Sequence, residues 1–168
     1  IGDTVRFTSV KPYRIVVSGR IKHYTSAFGE HVIGHEVEQA LQKTIEQFPA
    51  SVNEFTVAPQ VNPTEGLPYH EWLIEFDQLP QNVEVFVNEL NLQMRKQNTY
   101  YDDLITGNIL QPLVVSFVEK NGFQDYMKSI GKLGGQNKVP RLSNNREIAD
   151  EFYQLNLIKP KIENTHNN

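Results

Sequence analysis

Two stretches of the sequence place cations where a stiff element gives way to a loop. Gly19-Arg20-Ile21-Lys22 directly follows an extended apolar run. Two cations two residues apart at a strand exit are placed to meet a phosphate or a carboxylate. The plainer reading is a solvated strand end. The second stretch is Gly134-Gly135-Gln136-Asn137-Lys138-Val139-Pro140-Arg141. Its glycines let the backbone approach a ligand closely. Lys138 would present a compact charge with three donors, which suits an oxygen on which negative charge develops. Pro140 stiffens the far side of the loop. Here the plainer reading is an exposed connector, and the run lacks the Gly-Lys-Ser/Thr ending of a phosphate-binding P-loop.

Other chemistry is thinner. His31 and His35 stand i, i+4 with Glu30 and Glu36 beside them. No Glu directly follows His31, so the zinc-binding helical pattern is incomplete and no metal site is expected. His23 and His70 have no partner legible in the sequence. There is no readable Ser-His-Asp grouping and no glycine-rich dinucleotide fingerprint. Cysteine is absent, which excludes disulfides and thiolate metal sites and suits a reducing compartment, so a cytoplasmic location is expected. A net charge of −4 offers no global field for nucleic acid or an anionic membrane surface, and neither partner is expected. No apolar run approaches the roughly 18 residues of a membrane helix, and no cationic start leads into an apolar core, so no signal peptide is expected. The 168 residues, 39% hydrophobic and 21% charged, suffice for one globular domain with its own core. Ile1-Gly2-Asp3 reads as a turn entering a strand, which predicts a piece of a longer chain.

The elements that must position these residues follow from periodicity. Val5 to Thr8 and Tyr13 to Val17 are extended and flank Lys11-Pro12, predicting a hairpin that ends at Ser18-Gly19. After a loop holding Phe28-Gly29-Glu30, the residues Val37, Leu41, Ile45 and Phe48 recur at helical spacing, and Pro49 ends that helix. Glu54 to Val61 alternates as a strand. Tyr69 to Asp77 is a stronger one, with Trp72, Ile74 and Phe76 on one face and a second face of Glu71, Leu73 and Glu75 that should be covered only in part. Val83, Phe86, Val87, Leu90 and Met94 form a helical stripe. Tyr100 to Ile105 is an irregular or short helical connector. Leu113 to Val118 is so apolar that it reads as a central strand buried on both faces. A short helix carries Phe123, Tyr126, Met127 and Ile130. Asn144 with Glu147 three residues on suggests a capping box before a last helix with Ile148, Phe152 and Leu155 inward. Residues 156–168 have little to bury and are expected to be a disordered tail. The expected fold is α/β (α+β): a small central sheet flanked by helices in β-α-β-β-α-β-α order after an opening hairpin.

These residues, in order, resemble the Gretchen Hagen 3 type of auxin-responsive acyl acid–amido synthetases, especially their bacterial relatives. The points of likeness are Gly2-Asp3-Thr4-Val5-Arg6-Phe7-Thr8-Ser9, Pro12-Tyr13-Arg14-Ile15, Ser18-Gly19-Arg20-Ile21-Lys22-His23, Ala27-Phe28-Gly29-Glu30, the run His70 to Phe76, and the run Gly131 to Arg146. The resemblance implies the C-terminal lid domain of an acyl-adenylate-forming ligase, catalytically incomplete without the N-terminal adenylation domain of the same chain. Such an enzyme uses ATP and Mg2+ to convert a carboxylic acid to an acyl-adenylate, then passes the acyl group to an amine, typically that of an amino acid. By position, Asp3 resembles the acid that holds the nucleotide ribose, Arg20 a nucleotide-side arginine, Lys22 the hinge residue, and Lys138 the catalytic lysine that bridges the acid oxygen and the α-phosphate. In the wider superfamily that lysine usually follows a glycine, whereas Asn137 precedes Lys138 here.

The resemblance also implies a division of the chain: residues 1–20 ending the N-terminal domain, 21–155 the lid, and 156–168 the tail. Two alternatives stay open. One is the lid of a thioester-forming acyl-CoA ligase. The other is a non-catalytic α/β binding module, which would carry an exposed apolar patch around Tyr100 and Tyr101.

Overall fold

The computed structural model describes residues 3–20, 24–134 and 137–160. The chain opens as expected with an antiparallel hairpin, β1 (Asp3–Val10) and β2 (Tyr13–Arg20). Two short strands, β3 (Tyr24–Thr25) and β4 (Val32–Ile33), pair across the loop that holds Glu30. Helix α1 (Gly34–Gln47) follows, then β5 (Ser51–Gln60) and β6 (Tyr69–Gln78), helices α2 (Val83–Gln97) and α3 (Thr99–Thr106), β7 (Val114–Phe117), α4 (Gly122–Ser129) and α5 (Glu147–Gln154). The mixed α/β architecture is the one the periodicities predict.

The main sheet has the order β5-β6-β7. β5 and β6 are antiparallel, with Val57 opposite Trp72 and Phe55 opposite Ile74. β7 runs parallel to β6, which requires a crossover, and α2 and α3 supply it. Side chains alternate across the sheet. One face buries Phe55, Val57, Trp72 and Ile74 against α1, α2 and α3. The opposite face buries Ala58 and Leu73 against α4 and α5. Asn98 closes α2 and opens α3: its carboxamide accepts from the Tyr101 N–H and donates to Glu36, which also accepts from the Ile33 N–H ahead of α1. That one side chain ties the starts of α1 and α3 together.

Four expectations are corrected. The second face of β6 is fully covered: Glu71 and Glu75 are each only 2% exposed and Leu73 is buried completely. The carboxylates tolerate this because each is paired, which alternation does not reveal. β6 is the central strand, and β7 is half-buried along its length. The capping box at Asn144 does not form. Asn144 accepts instead from the Ser26 N–H at 3.0 Å, and Asn145 accepts from the Glu147 N–H at 3.2 Å. Finally, residues 157–159 are not loose. The Glu119 N–H donates to the Leu157 carbonyl, the Lys159 N–H donates to the Phe117 carbonyl, and Leu157 and Ile158 pack on the second core. Residues 161–168 lie outside the described residues.

Candidate functional site

The loop carrying Lys138 leaves α4 through Gly131 and Gly134, whose φ angles of 66° and 94° are left-handed. That backbone strains any residue with a Cβ, so the glycines let the chain turn away from the helix here. Asn137 donates its amide to the Gly134 carbonyl at 3.3 Å. Lys138 is exposed, and among the described residues it has no ion pair or hydrogen bond. The chain is then fixed within a few residues. Val139 is buried in the second core. The Thr56 hydroxyl donates to the Pro140 carbonyl at 2.7 Å. The Val57 N–H donates to the Arg141 carbonyl at 3.0 Å, and the Ser143 N–H donates to the Val57 carbonyl at 2.8 Å. Leu142 thus forms an isolated parallel bridge to Val57 on the outer edge of β5.

The geometry joins a turning approach to a firmly held exit, with an exposed ammonium between them. A recess of about 200 Å³ lies beside it, lined by Asn53, Phe123, Lys132, Asn137 and Lys138 among others. Two lysines and Glu54 line this recess; Glu54 is ion-paired with Arg141, and Lys138 has no carboxylate partner among the described residues. A larger open groove of about 460 Å³ runs between α1 and the start of β5, with Leu41, Ile45, Val52 and Phe55 along it and Arg141 at one wall.

The other predicted site residues are on the opening hairpin. Asp3 and Arg20 are register partners across β1 and β2, so the structure brings their backbones side by side. Their side chains, and Lys22 entirely, lie outside the described residues. Phe7 and Tyr13 on this hairpin are 61% and 78% exposed, and Val5, Val10 and Ile15 are exposed as well. Among the described residues, neither core cluster draws on one before Phe28. Tyr101 is completely buried while Tyr100 is exposed, so the pair forms no shared surface patch.

Three buried carboxylates escaped the sequence reading, because their partners are distant in the chain. Glu30 and His70 are both buried and meet at 2.8 Å, with the His70 ring stacked on Tyr101. Burial pushes the Glu30 carboxyl up, but the hydrogen bond and charge of His70 more than offset this and hold it below the usual range. Glu75 accepts from the Asn121 and Phe123 N–H groups at 2.9 and 3.2 Å and so caps α4. Glu71 pairs with Arg146 at 2.8 Å and accepts from Ser116 at 2.6 Å and from Tyr153. Burial and the Glu71 hydrogen bond push the Tyr153 phenol up to about 12. His31, by contrast, sits before α1 with φ 48° and meets Ser26 at 3.1 Å, so His31 and His35 do not share a helical turn. Among the described residues no cluster of three or more His, Asp or Glu side chains is arranged to hold a metal ion.

A hairpin leading into a three-stranded mixed sheet, two helical layers and a lysine loop pinned to the sheet edge define a small α/β domain. The model of the GH3 family C-terminal domain matches residues 35–147, well over half of the sequence, and the chain belongs to that family. Among solved structures, one described as "GH3.15 acyl acid amido synthetase" is 15% identical with a TM-score of 0.70, and the match covers 95% of this chain and 29% of that one. A second, "AtGH3.15 acyl acid amido synthetase in complex with 2,4-DB", is 16% identical with a TM-score of 0.69, covering 95% of this chain and 30% of that one. At these identities the likeness establishes the fold, and the chain spans about three tenths of the length of either protein. No curated protein matches the chain. No helix among the described residues is long and apolar enough to cross a membrane.

Proposed function

We propose that this chain is the C-terminal lid domain of a cytoplasmic, ATP-dependent acyl-adenylate-forming ligase of the bacterial branch of its family. In the full-length enzyme a carboxylic acid is activated as acyl-AMP, and the acyl group is then transferred to an amine, that of an amino acid. The amido synthetases whose fold it shares, and the family it belongs to, support this reading.

The observation that carries it is Lys138: an exposed ammonium with no partner among the described residues, on a loop that turns at two left-handed glycines on one side and is bonded to β5 on the other. A lysine so held can be delivered to a site on another domain without losing its aim. At that site it would offset charge developing between the acid oxygen and the α-phosphate, and no proton need move. Asp3 would hold the ribose hydroxyls as an acceptor of two hydrogen bonds, with Arg20 on the nucleotide side and Lys22 at the hinge. The adjacency of the Asp3 and Arg20 backbones suits a shared role toward one ligand. Mg2+ would neutralise phosphate charge on the nucleotide.

Residues 1–20 would then complete the N-terminal adenylation domain, and 21–155 would form the lid. The exposed apolar side chains of the hairpin favour this division, since they need a neighbour the lid does not supply. ATP–pyrophosphate exchange by the full-length protein tests the proposal. It should require a carboxylic acid and should collapse in Lys138→Ala.

A further inference from the structure

The backbone pairing that fixes the chain beyond Lys138 ends at Val57, yet β5 continues toward its N-terminal end. Two residues earlier, Phe55 presents its N–H and C=O to the same outer edge. Both are satisfied by side chains. Glu54 accepts from the Phe55 N–H at 3.1 Å, and the Arg141 guanidinium donates to the Phe55 carbonyl at 3.3 Å. Glu54 and Arg141 are themselves ion-paired. Together the two side chains stand in for the next pair of strand hydrogen bonds, at the point where the backbone of residues 141–143 departs.

Arg141 does more than close that edge. Its guanidinium carbon lies 4.7 Å from the centre of the Phe55 ring, and its Nε is 3.4 Å from Glu38 on α1. One side chain therefore holds α1, β5 and the segment after Lys138 in a common frame. Arg141 is three residues from Lys138, a distance of at most about 10 Å along an extended chain. On the other side of Lys138 the chain turns at two left-handed glycines, Gly131 and Gly134. On its C-terminal side Lys138 is thus tied to β5 within three residues.

We propose that Arg141 is the positioning residue for Lys138: the planar guanidinium, gripped by Glu54, Phe55 and Glu38, keeps the lysine loop in register with β5. This deepens the lid reading and rests on it for its catalytic consequence. A lysine at position 141 could keep the charge but could not engage a carboxylate, a carbonyl and a ring face together, because it lacks the rigid fork of donors.

The test uses the full-length protein, with amide hydrogen exchange and ATP–pyrophosphate exchange measured on Arg141→Gln and Arg141→Lys. The Val57 and Ser143 amides report the pinned segment directly. In Arg141→Gln they should exchange about tenfold faster or more, while the amides of Trp72 and Ile74 on the central strand hold their protection. The kcat of pyrophosphate exchange should fall about 10- to 100-fold with KM for ATP little changed, the pattern of a misaimed group. Arg141→Lys should fall in between, and it carries the same readings if Arg141→Gln fails to fold. Unchanged protection at Val57 and Ser143, an equal rise along the central strand, or an unchanged kcat would each overturn the proposal. Lys138→Ala separates the two claims. If that variant keeps full exchange activity, the lid reading fails, and Arg141 is judged on the Val57 and Ser143 amides alone.

Discussion

The Thr56 hydroxyl donates to the Pro140 carbonyl over 2.7 Å, two residues beyond Lys138. This bond joins β5 to the loop that carries the proposed catalytic lysine. Thr56→Val keeps the shape of the side chain and leaves the carbonyl without that donor. It should lower unfolding free energy by about 1–2 kcal/mol with an unchanged denaturant slope, read from urea unfolding. No shift in midpoint would mean that water replaces the hydroxyl without cost.

The Glu30–His70 pair makes stability depend on acid. The folded-state value of Glu30 lies below its usual 4.5. Its contribution is therefore complete at neutral pH and is lost as pH falls below about 4.5 and through the lower folded value. Glu30→Gln should flatten this part of the pH profile. His70→Ala leaves a buried carboxylate without its partner and should cost about 3–5 kcal/mol at neutral pH. Denaturant unfolding from pH 7 to 3 checks both, and a Glu30→Gln profile that still tracks the parent would contradict the assignment.

Glu75 takes two backbone donors at the start of α4. Glu75→Ala should cost about 1–3 kcal/mol and release the Asn121 and Phe123 amides to hydrogen exchange before those of β6. Uniform loss of protection across the domain would instead mark Glu75 as a general core residue.

Removing residues 1–20 tests the proposed domain boundary. Among the described residues, neither core cluster uses one before Phe28, although β2 touches α1. The shortened chain should unfold cooperatively with a midpoint within about 4 °C of the parent. Loss of the cooperative transition would place the hairpin inside the lid.

The helices and strands were legible because burial on one side leaves a period in the sequence. Val37 and Leu41 on α1, Phe86, Leu90 and Met94 on α2, and Trp72 and Ile74 on β6 all reach the same core. What stayed hidden are the polar contacts across long sequence gaps. Glu71, Glu75 and His70 look like solvent-facing residues until Arg146, Asn121 and Glu30 are brought to them. Asn144 has the spacing of a helix cap, yet it bonds to Ser26 because tertiary contact outweighs the local signal. The loop of Lys138 was readable from its glycines and proline, whereas its attachment to Thr56 and Val57 was not, since parallel pairing across more than eighty residues leaves no local pattern.

The central claim is that Lys138 is the lysine a lid carries into an adenylation site, and the most direct test is ATP–pyrophosphate exchange with a panel of carboxylic acids. The full-length protein should show exchange that depends on one class of acid. Lys138→Ala should lose about 100-fold or more of it while unfolding like the parent. The 168-residue chain alone should show none. Exchange by the isolated chain, or unchanged exchange in Lys138→Ala, would contradict the account.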